Sequence, residues 1–340
     1  MAPQGHGGVE VRPWPNEAGA YSDCADVVIE AFGCELPEAI QAQIATQSAS
    51  RIAANQPPVP WINLEYLSAE GYVQRQHGLP SPVMSGPAKG CTKWFFYPGF
   101  TEGTGGLLRE ADLLAQQREF DAQAWRAQHA PGVPKDGQLI SLFCYEPPGL
   151  PAWLTLLKGT PHQLLVTPGR ASAAVRAAMA QMPALEAARV HWHALPHTDQ
   201  TGFDHMLWAC DLNFVRGEDS LVRALWAGRP FVWHIYPQDD QAHHAKLNAF
   251  LDWLDAPQSL RRFHVVWNGI EGGELPSLPP ETWQDWQTTA ELARQKLLQQ
   301  ASLTEQLLGF VALKRSSTSL QTPISRGKRP FFQPKPTELE

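Results

Sequence analysis

The segment Asp211-Leu212-Asn213-Phe214-Val215-Arg216-Gly217-Glu218-Asp219-Ser220 holds the densest set of groups that could do chemistry. An apolar run ends at Arg216, Gly217 allows a tight turn with close backbone approach, and Glu218 opens a helical pattern. Open α/β sheets bind ligands at the carboxyl ends of their strands, and the free N–H groups at a helix start suit a phosphate. Arg216 adds a two-pronged donor to phosphate oxygens. A plainer reading also fits: Glu218, Asp219 and Ser220 complement a helix dipole, and strand-Gly-helix turns recur throughout such folds.

A second apolar run, Pro230 to Tyr236, ends in Tyr236, Gln238, Asp239 and Asp240, groups that suit sugar hydroxyls or the capping of a helix by Asp239 or Asp240. Upstream, His197 to Asp204 reads as a loop entering a helix. There Phe203 could stack on a nucleobase and Gln200 could pair with its edge, or an Asp or Thr cap with a hydrophobic staple explains the pattern. His191, His193 and His197 match no zinc spacing, and strand alternation accounts for the first two. In the first half, Asn63 and Glu65 share a strand face and either reach a ligand or anchor neighbouring loops. Gly103 to Leu108 lacks the spacing of a dinucleotide turn and reads as a flexible surface loop.

These groups need a scaffold, and the second half supplies one. Apolar runs at Leu139–Tyr145, His162–Thr167, Arg189–Leu195, Asp211–Val215 and Pro230–Tyr236 alternate with helical patterns at Pro151–Leu157, Ala171–Met182, Gly202–Cys210, Asp219–Ala227 and Gln241–Leu254. That alternation implies a parallel sheet covered by helices on both faces. The first half alternates more loosely. Strands are expected at Val9–Trp14, Asp26–Phe32, Trp61–Leu67 and Trp94–Phe96, and helices at Pro37–Gln47 and Gly106–Gln117, with long Pro- and Gly-rich loops between them. The polar stretch Gln123–Gly137 reads as the domain boundary. Less regular segments follow Leu254, then a single amphipathic helix from about Thr282 to Leu313. The division is thus an N-terminal domain over residues 1–125, a C-terminal domain over residues 137–315, and a Ser-, Thr- and Pro-rich tail over 316–340 that is expected to be disordered.

Composition agrees with a folded, two-domain chain. There are 340 residues with 18% charged side chains and 13 tryptophans. A net charge of -7 argues against a nucleic-acid partner held by phosphate neutralisation. Five scattered cysteines without a C-x-x-C pair read as reduced thiols of a cytoplasmic protein, and no apolar run is long enough for a membrane partner.

The run Leu207 to Ser220, followed by Trp226 to Gln238, resembles the EarP family of protein-arginine rhamnosyltransferases, which modify bacterial elongation factor P. Further matches are Asp26 to Phe32, Trp61 to Glu70, His77 to Pro82, Phe95 to Phe100 and Gly105 to Glu110. The resemblance implies a GT-B glycosyltransferase, two Rossmann-like domains facing across a cleft. The C-terminal domain would bind dTDP-β-L-rhamnose and the N-terminal one elongation factor P. Rhamnose would pass to an arginine with inversion, with no metal and no cofactor. By similarity Arg216, Gly217, Glu218, Asp219 and Ser220 hold the diphosphate and sugar, Tyr236 a phosphate oxygen, Gln200 and Phe203 the thymine, and Tyr145 lines the same pocket. Glu218 is the catalytic residue carried over. The family often has another aromatic where this chain has His197.

The family also opens with a strand and a turn of the form D-N-Y/F-G-D-I-G-V-C-W-R-L, whose aspartates include the proposed general base; this sequence has no counterpart. Matching Val9–Trp14 to a later family strand implies a missing β-α-β portion of roughly 50 residues and makes Met1 an internal methionine. Either the start is assigned too late, which the cost of exposing a sheet edge favours, or the chain is truncated. A truncated chain would be an impaired transferase, or a non-catalytic binder of elongation factor P or of the nucleotide sugar.

Overall fold

The computed structural model describes residues 4–11, 25–133 and 137–316. The expected tail beyond Ser316, and residues 12–14 of the first expected strand, lie outside the described residues. The first part contains β1 (Gln4–His6), β2 (Val9–Val11), β3 (Val28–Ala31), α1 (Glu38–Ala53), β4 (Trp61–Leu64), α2 (Gly71–Gln76), β5 (Pro80–Pro82), β6 (Thr92–Phe96), α3 (Leu113–Glu119) and α4 (Ala122–His129). The second contains β7 (Gln138–Leu142), α5 (Leu150–Leu157), β8 (His162–Val166), α6 (Arg170–Ala180), α7 (Ala184–Ala187), β9 (Trp192–Ala194), α8 (Gln200–Ala209), β10 (Leu212–Arg216), α9 (Gly217–Ala227), β11 (Phe231–His234), α10 (Ala242–Trp253), α11 (Gln258–Trp267), α12 (Pro280–Leu298) and α13 (Leu303–Ser316).

The second sheet is wholly parallel, in the order β11-β10-β7-β8-β9. Read from β9, this is the doubly wound order in which the chain reverses direction beside β7. Its strands are buried on both faces, Leu139, Ile140, Leu164, Leu165, Phe214 and Val232 among them, as helices on both sides require. Ser141 and Asn213 are register neighbours in this apolar layer. The serine Oγ donates to Asn213 Oδ1 at 2.5 Å, and Asn213 Nδ2 donates to the Leu207 carbonyl at 3.0 Å. Much of the tryptophan content lies in this half: Trp267 packs against Phe214 with ring centres 4.5 Å apart, and Trp153, Trp233 and Trp286 are buried around them.

The first sheet has the order β3-β4-β6-β5, with β5 antiparallel to β6 and the others parallel. Val9–Val11 does not join it. It forms an antiparallel hairpin with Gln4–His6 around Gly7-Gly8, where a loop followed by a sheet strand was expected. Several other expectations also change. The supposed linker contains α4, because Asp121 caps its start by accepting from Gln123 and Ala124 N–H, both at 2.9 Å, and Arg126 pairs with Asp211 at 2.6 Å. Arg189 and Val190 close turns after α7, which leaves only Trp192–Ala194 as strand. The stretch after Leu254 is regular: α11 buries Leu260, Phe263 and Trp267 on one face. The long final helix is two helices. Ser302 and Glu305 form a reciprocal capping box, with Ser302 N–H donating to Glu305 Oε2 at 2.8 Å and Glu305 N–H to Ser302 Oγ at 3.3 Å, which starts α13 afresh.

Helix α13 does not pack on the second sheet. Phe310 lies 5.5 Å from the Phe96 ring, and Lys314 Nζ sits 3.3 Å from the Trp94 ring centre, so the end of the chain completes the first sheet. Thr104 to Leu107 of the Gly-rich loop are buried at the same joint, contrary to a flexible surface loop. A Cβ on Gly105 would come within 2.3 Å of Phe96, and Leu303 N–H donates to the Leu107 carbonyl at 2.9 Å. Phe100, from the neighbouring loop, stacks 4.7 Å from Trp253 of α10. The two halves therefore share a core around Phe100, Leu107 and Leu113.

Candidate active site

At the carboxyl edge of the second sheet a pocket of about 590 Å³ opens, lined by the ends of β7, β8 and β10, the loop before α8, and the starts of α8 and α9. Its wall brings together Tyr145, Gln200, Phe203, Arg216, Gly217, Glu218, Asp219 and Ser220. Tyr236 is not in the lining; it is 61% exposed, and its ring meets Tyr145 edge-on at 5.6 Å, at the rim.

The turn from β10 into α9 is shaped by two residues. Gly217 has φ +67°, and a Cβ there would lie 3.3 Å from Tyr145 Oη, so glycine meets both a backbone and a space requirement. Ser220 Oγ accepts from the Arg216 N–H at 2.9 Å and donates to the Arg216 carbonyl. Arg216 is thereby fixed at its backbone, and its guanidinium lies 4.3 Å from the Phe143 ring centre and 4.6 Å from that of Tyr145. Its Nη1 donates to the Cys144 carbonyl at 3.2 Å, and among the described residues no carboxylate pairs with it. Tyr145 also carries Arg170 at 4.8 Å, and Arg170 is neutralised by Glu146. Burial raises the Tyr145 phenol, although Arg216 and Arg170 both oppose it. The backbone N–H of Tyr145 donates to His234 Nδ1 at 3.2 Å, and burial lowers that imidazole to about 4, so the ring is neutral and able to accept.

Glu218 faces the first half of the chain. Its Oε2 accepts the Leu67 N–H at 3.0 Å, and its Oε1 pairs with Lys246. Asn63 donates to Glu65 at 2.7 Å, so that pair anchors its own loop. Asp240 accepts the Ala242 N–H at 3.1 Å near the start of α10, and Asp199 caps α8 through Gly202 N–H at 2.8 Å. Sequence reasoning passed over Phe143, Pro168, Pro196 and Arg223 as lining of the site. The clue to Arg223 is a charge inside the apolar run Leu221-Val222-Arg223-Ala224-Leu225.

Two Rossmann-like units, with a pocket at the carboxyl edge of the second and a loop of the first closing on it, define a GT-B glycosyltransferase. The chain belongs to the EarP family: the family profile, described as Elongation-Factor P (EF-P) rhamnosyltransferase EarP, matches residues 1–312. A protein-arginine rhamnosyltransferase of Pseudomonas aeruginosa is 44% identical over 288 residues, covering 79% of this chain and 72% of that one. Its counterpart from Pseudomonas putida is 42% identical over 330 residues, covering 91% of this chain and 84% of that one. A solved structure described as the structural basis for EarP-mediated arginine glycosylation of translation elongation factor EF-P superposes with a TM-score of 0.52 at 32% identity, covering 64% of this chain and 75% of that one. Among the described residues no helix is long and apolar enough to cross a membrane.

Proposed function

We propose that this chain transfers rhamnose from dTDP-β-L-rhamnose to an arginine side chain of elongation factor P with inversion, without metal or cofactor. The observation that carries this reading is Arg216, a guanidinium that no carboxylate pairs among the described residues, held against two rings at the glycine turn that opens α9. Such a group suits a diphosphate whose charge grows as the sugar departs, a stabilisation that matters most in the transition state. Asp219 and Ser220 follow it on the first turn of α9, and Gln200 and Phe203 of α8 line the same pocket, where they would hold the base. Tyr236, at the rim beside Tyr145, would meet a phosphate oxygen. Glu218 bridges to the first half, where the acceptor protein docks across the cleft. The relatives are named as transferases, and none of them lends support to an impaired or purely binding protein.

The test is direct. Incubation with dTDP-β-L-rhamnose and elongation factor P adds one deoxyhexose to one arginine, read by peptide mass spectrometry, and NMR of the product gives the anomeric configuration. Tight dTDP binding without transfer, under conditions where a relative transfers, would leave the donor site standing and overturn the activity.

A further inference from the structure

Arg223 lines the pocket and forms a buried charged pair with Asp204 of α8. Arg223 is 8% exposed and Asp204 5% exposed. Arg223 Nε donates to Asp204 Oδ1 at 2.7 Å and its Nη2 to Oδ2, a two-pronged fork, while Nη1 donates to Glu110 Oε2 at 2.6 Å. Burying two ions carries a desolvation penalty that apolar side chains would avoid. Helices α8 and α9 already present Met206, Leu207, Leu221 and Leu225 to the core, so a pair of charges at this point calls for another reason.

That reason lies one helical turn away. Asp204 Oδ1 also receives Gln200 Nε2 at 3.3 Å. As the anionic partner of Arg223, Asp204 only accepts hydrogen bonds, so the Gln200 amide must turn its NH2 toward it and its carbonyl oxygen away. Gln200 then offers an acceptor and one remaining N–H, side by side.

We infer that Asp204, locked by Arg223, is a positioning residue that fixes the orientation of the Gln200 amide, so that the pocket selects a base edge with a ring N–H beside a carbonyl. Uracil and thymine present that edge. Cytosine presents a bare ring nitrogen beside an amino group, which sets acceptor against acceptor and donor against donor. This inference rests on the pocket being the nucleotide-sugar site.

Calorimetric titration of the full chain with thymidine diphosphate, N3-methylthymidine diphosphate and deoxycytidine diphosphate tests it. The unmodified chain binds the first about tenfold or more tightly than the other two, the cost of leaving polar groups unpaired. In Asp204→Asn the new amide can turn either group toward Gln200, so the ratio of thymidine to deoxycytidine affinity falls toward one. A role in stability alone would weaken both nucleotides by the same factor and leave the ratio unchanged, which overturns the inference. Arg223→Lys keeps the charge but loses the fork, and the same narrowing is expected there; it serves if Asp204→Asn does not fold. Equal binding of thymidine and deoxycytidine diphosphates by the unmodified chain overturns the inference and leaves the donor site intact. Failure to bind any of the three overturns the donor site itself.

Discussion

Glu218 Oε2 accepts the backbone N–H of Leu67 at 3.0 Å, and the two residues stand at the facing edges of the two sheets. One carboxylate at the start of α9 therefore fixes the loop after β4, while its other oxygen holds Lys246 of α10. Glu218→Ala leaves the Leu67 N–H without this partner, at a cost of about 1 to 3 kcal/mol, and removes a carboxylate from the pocket wall. Steady-state kinetics should show transfer lowered at least tenfold, and Lys246→Ala should cost less. Equal losses in the two variants would mean that the ion pair alone matters.

Arg216→Ala is expected to weaken dTDP binding by about a hundredfold, in line with charge-assisted hydrogen bonds worth ~1.5 to 3 kcal/mol. Arg216→Lys recovers the charge but not the planar fork or its stacking on Phe143 and Tyr145, and should regain only part of the affinity. Full recovery by lysine in a calorimetric titration would contradict the role given to those rings.

Gly217→Ala places a side chain at φ +67° and 3.3 Å from Tyr145 Oη. A destabilisation of about 1 to 2 kcal/mol is expected in chemical denaturation, together with weaker dTDP binding as Tyr145 is displaced. Unchanged stability and affinity would show that the turn tolerates a Cβ.

Two buried histidines set an acid limit on stability. Burial lowers both His234 and His264 to about 4 from their ordinary value of 6.5. Each is neutral in the fold and accepts a backbone N–H, from Tyr145 and Trp233 respectively. Between pH 6.5 and about 4 the unfolded chain binds protons that the folded chain does not, so stability falls as pH falls, by ~1.4 kcal/mol per pH unit for each histidine. Above that window neither contributes a slope. Urea denaturation at several pH values checks this, and stability that held constant or rose on acidification through the window would contradict it.

Ser302→Ala removes half of the capping box that starts α13. A loss of about 1 kcal/mol is expected, with earlier proteolysis after α12; an unchanged digestion pattern would argue that aromatic packing alone holds the helix.

The second sheet was legible because fully buried parallel strands read as unbroken apolar runs, each followed by a helix-spaced stretch. The glycine turn into α9 was legible for a related reason: Arg216-Gly217 sits where such a run must end. The first sheet was less so. Its strands are short, one is antiparallel, and Val9–Val11 pairs with a hairpin partner rather than with the sheet. Contacts between distant residues left no periodic trace. Glu218 with Leu67 and Arg223 with Glu110 depend on how the halves meet. The break at Ser302 was readable in principle, since Ser-Leu-Thr-Glu is a capping box, but the apolar spacing on both sides masked it.

The place of α13 bears on how the molecule is made. The strands of the first sheet are synthesised by residue 96, yet the aromatic layer over β6 is closed by Phe310 and Lys314. A ribosome must therefore release nearly the whole described chain before the first unit can finish, which reverses the usual N-terminal-first order of domain folding. While translation proceeds, the second unit can mature first and the first waits with an apolar surface uncovered. Protease digestion of stalled nascent chains would reveal this as protection of the first sheet that arrives only once α13 has emerged.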